Sequence, residues 1–75
     1  MDVVAMEFSV VMEFDEKYCT YIYKVYYEKV DSDGNKYYDL HILDFNAVKN
    51  LYPDEVLTPI DALTALNEHG REDFA

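Results

Sequence analysis

From Val4 to Phe14 the chain alternates: Val4, Met6, Phe8, Val10, Met12 and Phe14 fall on one side, Glu7, Ser9 and Glu13 on the other. A period of two is the signature of a strand, whose successive side chains leave on opposite faces. Residues 17–30 are dense in Tyr, Val, Ile and Thr, the residues that fit a pleated surface, with Cys19, Tyr21, Tyr23, Val25 and Tyr27 sharing a face. Residues 36–45 repeat the pattern, with Tyr38, Leu40 and Ile42 on one side. Strands are therefore expected over 3–14, 17–30 and 36–45.

The turns fix how these strands meet. A loop at Asp15-Glu16 sets Phe14 opposite Lys17, Met12 opposite Cys19, Phe8 opposite Tyr23, and Glu7 across from Lys24 as an ion pair. It also leaves Asp2 to partner Lys29. Asp33-Gly34 suits a type I′ turn, which needs positive φ at both central residues. That turn sets Tyr27 opposite Leu40 and Val25 opposite Ile42, and puts Glu28 against Asp39, a like-charge pair that a partner's cation would relieve. Both registers bring the apolar residues to one face, and a one-residue slip would invert it. The expectation is a three-stranded antiparallel meander whose second face carries Val3, Ala5, Val11, Ile22, Tyr26, Leu43 and Phe45. That face reads as a contact surface, with Val11, Ile22, Tyr26, Leu43 and Phe45 as the self-association candidates.

After Phe45 the period changes. Asn46 is placed to cap a short helix over 46–52, which Pro53 ends. Thr58 as N-cap, Pro59 in the first turn and Asp61 near the positive helix end start a longer helix over 59–69. Its stripe is Leu57, Ile60, Leu63 and Leu66, flanked by Ala62 and Ala65, with Gly70 as the C-terminal cap and residues 71–75 frayed. The order β-β-β-α-α makes an α+β fold: one domain over 1–75, one sheet face covered by one or two C-terminal helices.

Charge narrows the function. Sixteen acidic residues oppose six basic ones in 75 residues, for a formal net charge of -10. Four of the six, Lys17, Lys24, Lys29 and Lys36, lie in the segment that includes the central strand. Such a field repels nucleic acid and anionic membrane and attracts basic protein surfaces. A chain of this size buries only about 60% of its unfolded surface, so a partner or second copy would supply missing burial. The single cysteine allows no intrachain disulfide, and there is no Cys/His set for zinc. With an acidic start no secretory leader is expected, no apolar run is long enough to suggest a membrane span, and at 51% hydrophobic the chain is too apolar for disorder. A cytoplasmic location is expected.

Catalytic chemistry is not apparent. Cys19 reads as a core residue, with His41 on the opposite face, and neither Ser9 nor Ser32 sits in a nucleophile motif. Asp31-Ser32-Asp33-Gly34-Asn35 looks like part of a calcium loop, but its Gly comes fourth and strands flank it, which favours a hairpin. No catalytic residue, cofactor or metal site is expected, and the protein reads as a non-enzyme. The acids can instead imitate nucleic acid, since alternate strand residues lie about 6.6 Å apart, comparable to phosphate spacing. The candidate partner-binding residues are Glu13, Asp15, Glu16, Asp31, Asp33, Asp39, Asp44, Asp54 and Glu55.

In size, acidity, tyrosine content and lack of catalytic residues, the whole chain resembles the small acidic inhibitors of bacteriophages and mobile elements. These include anti-CRISPR and anti-restriction proteins. The resemblance involves no shared motif, so it transfers no residue roles. It implies a DNA mimic that occupies the basic surface of a nuclease or other nucleic-acid-binding protein inside a bacterial host cell. Two other readings stand beside it: a structural or adaptor module that dimerises through its Tyr-rich second face, and an antitoxin or immunity partner.

Overall fold

The computed structural model describes residues 7–75. It contains β1 (Phe8–Asp15), β2 (Thr20–Val30), β3 (Lys36–Asp44), α1 (Phe45–Leu51) and α2 (Pro59–Asp73). The strands form one antiparallel sheet in the order β1-β2-β3, and the helices follow, which is the α+β arrangement expected. Val3, Val4, Ala5, Met6 and the Asp2–Lys29 pairing lie outside the described residues. No helix among the described residues is long and apolar enough to cross a membrane.

The first hairpin is wider than a two-residue loop. Asp15 pairs with Thr20, so residues 16–19 form the loop, and Phe8 faces Tyr27 where Tyr23 was expected. Two local features account for it. The Asp15 carboxylate accepts the Lys17 N–H at 2.9 Å, and Cys19 adopts the left-handed conformation with φ 50°. Cys19 is thus an exposed turn residue whose thiol donates to the Glu16 carbonyl, not a core residue. The shift of four residues is even, so the faces of β1 and β2 survive. Glu7 loses the predicted Lys24 partner, and Lys24 pairs with Glu13 at 3.1 Å instead.

The second hairpin slips by one residue, and the consequence is larger. Val25 faces His41 and Tyr27 faces Asp39. Asp31 is the cause: its carboxylate accepts the N–H groups of Asp33 and Asn35, both at 2.9 Å. These bonds close a turn in which Gly34 N–H reaches the Asp31 carbonyl at 3.1 Å. Only Gly34 then needs positive φ, at 84°, whereas a type I′ turn would force Asp33 there as well. The three-residue loop inverts β3. Tyr38, Leu40 and Ile42 face away from the helices, while Leu43 and then Phe45 pack on the core. Glu28 no longer meets Asp39, so the repulsion read from the sequence does not arise.

β3 runs into α1 without a loop. Asp44, in an extended conformation, caps the helix by accepting the Ala47 N–H at 2.8 Å, the role expected of Asn46. At α2 the expectation holds: Thr58 and Asp61 form a reciprocal capping box with Pro59 at the first turn. The Asp61 carboxyl is held below its usual range by the N–H groups of Thr58 and Leu57.

Tyr23, Val25, Val48, Val56, Ala62, Ala65 and Leu66 form the buried core between sheet and helices. The small side chains of Ala62 and Ala65 allow α2 to approach β2, where the Tyr23 hydroxyl donates to the Pro59 carbonyl at 2.6 Å. Burial raises the Tyr23 pKa. The buried stripe is rotated from the one expected, since Leu57 and Ile60 are exposed. Gly70 does not end the helix. It is buried within it, and a Cβ there would lie 2.7 Å from Phe8 Cζ. The helix continues to Asp73, and Phe74 packs against the core instead of fraying.

Candidate interaction surfaces

The uncovered face of the sheet follows from the pairing. Ser9, Tyr26 and Leu40 form one row across the three strands, Val11, Lys24 and Ile42 the next, and Glu13, Ile22 and Asp44 a third. Val11, Leu40 and Ile42 are 41%, 46% and 60% exposed, so the middle of the face is an apolar stripe open to solvent. Of the residues expected on this face, Val11, Ile22 and Tyr26 are present. Leu43 and Phe45 are turned inward by the slip, and Leu40, Ile42 and Tyr38 take the exposed places. The Asp31 carboxylate, two and four residues before the backbone donors it binds, is the sequence signal that favoured the three-residue loop.

Carboxylates bound the stripe at each end. Glu13 and Asp44 stand at one end. At the other, Glu7 and Glu28 lie on adjacent strands, joined by a 2.8 Å bond from the Glu28 N–H to the Glu7 carbonyl. Tyr38 places its hydroxyl 3.2 Å from Glu7 and 3.4 Å from Glu28. This hydroxyl donor and Lys36, 3.8 Å from Glu28, offset the repulsion between the carboxylates. The Glu7 hydrogen bond, with the charges of both acids, raises the Tyr38 pKa. Glu28 is 8% exposed, a buried charge satisfied by this cluster.

The other acids divide into those with structural duties and those without. Asp15 and Asp31 cap their hairpins. Asp39 lies on the helix side, 2.9 Å from Lys29 and 3.3 Å from His41, and the Lys29 hydrogen bond lowers its pKa. His69 Nε2 lies 2.9 and 3.1 Å from the two Glu55 oxygens, tying the loop before α2 to the helix. That contact raises the His69 pKa. Glu68 joins them, the three donor groups lying within 4.8 Å of one another beside an open depression of about 250 Å³. Tyr52 stacks near His69 and donates to Asp73, and burial with this bond raises its pKa. Glu16, Asp33 and Asp54 are exposed and make no ion pair among the described residues. The nine acidic candidates are therefore not one surface: Glu13 and Asp44 frame the sheet face, Asp39 is turned from it, and the remainder occupy the hairpins and the loop before α2.

The comparisons with known proteins find no matching family model, curated protein or solved structure.

Proposed function

We propose that this is a non-enzymatic acidic protein that binds the basic, nucleic-acid-binding surface of another protein and blocks it. The supporting observation is where the positive charge goes. Lys24, Lys29 and Lys36 pair with Glu13, Asp39 and Glu28, while Glu16, Asp33 and Asp54 stay exposed at loops. Internal pairing thus matches both lysines of the central strand and Lys36 at the start of β3, and leaves unmatched carboxylates at the loops. A basic surface that ordinarily holds phosphates would gain charge complementarity from these carboxylates and release its own counterions. A DNA mimic of the anti-CRISPR or anti-restriction kind, acting inside a host cell, would work this way.

The test is competition. Fluorescent DNA is bound to each of a panel of nucleases and repressors with basic clefts, and the protein is titrated in. Displacement from at least one member is expected, weakening steeply as salt rises from about 50 to about 500 mM, because the contacts replace phosphate contacts. Reversal of Glu16, Asp33 and Asp54 to Lys, exposed carboxylates that make no ion pair among the described residues, should weaken it further. Displacement that ignores salt, or no displacement anywhere in the panel, sinks the reading.

A further inference from the structure

We propose that the uncovered sheet face is where the partner docks, and that the partner segment carries aliphatic side chains interspersed with Lys or Arg; this rests on the reading above. Three features of the face define that chemistry. Its middle is largely apolar and open: Leu40 and Ile42 are neighbours on β3, and Val11 lies across β2 from Ile42, with Lys24 between them. Between Val11 and Ile42 the Lys24 head is drawn to Glu13, which leaves its aliphatic stem within the stripe and its charge already matched. Carboxylates stand at both ends: exposed Glu7 with buried Glu28 behind it at one, and at the other Glu13, shared with Lys24, and Asp44, which also caps α1. Glu7 and Glu13 are six residues apart along the extended chain, about 20 Å.

That layout discriminates among occupants. In a two-fold pairing of identical sheet faces, each acidic end meets an acidic end whichever way the copies turn, and each copy also carries a net charge of -10. A second copy is disfavoured on both counts. A segment with cations spaced to reach the two ends and aliphatic groups over the middle satisfies every row. The apolar stripe spans two strand spacings by two or three rows, on the order of 200 Å², well below the roughly 800 Å² per partner of a stable interface. The stripe is therefore the desolvated centre, and the acidic ends and hairpin tips supply the rim.

Three heptapeptides serve as probes, observed by amide shift perturbation: alternating Leu-Lys, alternating Ser-Lys and alternating Leu-Ser. The Leu-Lys peptide is expected to perturb Ser9 to Glu13, Ile22 to Tyr26 and Tyr38 to Ile42. It should bind at least about tenfold more tightly than either of the others. Ile42→Ser and Leu40→Ser should each remove that advantage while leaving the thermal midpoint near wild type, because both side chains are already exposed. Ile60→Ser, at an exposed site on α2, should leave binding intact. If Ser-Lys binds as well as Leu-Lys, the sheet face is the wrong site while the acidic reading stands. If Leu-Ser binds as well as Leu-Lys, or neither Lys peptide binds, charge plays no part and both fall. A salt-insensitive dimer dissociated by Ile42→Ser would give the face to a second copy instead.

Discussion

At Gly70 a single methyl group decides how closely α2 can lie on β1. The Cβ of an alanine would meet Phe8 Cζ at 2.7 Å. The Phe8 ring has little room to yield, packed edge-on against Tyr27 at 5.6 Å and under the Arg71 guanidinium, also at 5.6 Å. Alanine gains roughly 1 kcal/mol in helix propensity, but overpacking costs about 1–3 kcal/mol. Gly70→Ala should therefore lower the chemical-denaturation stability, by about 1 kcal/mol on balance. In a Phe8→Leu background the same change should become neutral or stabilising, a coupling that a double-mutant cycle reads directly. Asp61 offers a second test at this scale. Its folded pKa lies below the ordinary 3.8, so its contribution is present above that value and is lost as pH falls through the folded pKa. Asp39, lowered chiefly by Lys29, acts in the same sense and the same window. Thermal midpoints should drop on acidification below about pH 4, and Asp61→Asn should make that drop shallower.

Among the elements, β3 separates what local pattern specifies from what it leaves open. Alternation identifies β3 as a strand but says nothing of which set of alternate residues faces the core, because Tyr38, Leu40 and Ile42 are as apolar as Leu43 and Phe45. The hairpin decides. Asp31 stabilises a loop one residue longer than the Asp33-Gly34 motif suggests, and every side chain of β3 changes side. The first hairpin also departs from the expected register, by four residues, and that even number preserves its faces. Ile42→Lys and Leu43→Lys discriminate the two arrangements. The first should leave the melting temperature within a few degrees of wild type, since Ile42 is 60% exposed. The second should cost roughly 2–4 kcal/mol, by setting a charge against the core. The opposite ranking in thermal melts would restore the register read from the turn motif alone. The start of α2 was more legible, because the Thr58-Pro59-Asp61 cap involves only neighbouring residues, whereas the caps expected at Asn46 and Gly70 fall to Asp44 and Phe74.

For the molecule as a whole, charge and apolar exposure act against each other. Among the described residues ten large hydrophobic side chains are exposed, and the net charge of -10 keeps such surfaces apart at neutral pH. Near the sequence pI of about 4.2 that repulsion vanishes. Light scattering should therefore rise near this pH, and Ile42→Lys should reduce the rise if the open sheet face carries the association. An unchanged profile in the variant would place the contact elsewhere, for instance at Leu57 and Ile60.

Within the described residues, the sequence by itself determined the identity and order of the elements, the antiparallel sheet, the helix-side faces of β1 and β2, the start of α2 and the size of the charge imbalance. These follow from periodicity, capping and composition, which are local or additive. Only the tertiary structure decided which face of β3 is open, that Cys19 lies in a turn, that Gly70 lies inside α2, and which carboxylates are matched by a lysine. Each of these depends on register or on a close approach between distant segments. A displacement of one residue in a hairpin reverses a whole strand, and one ring against a glycine sets the position of a helix.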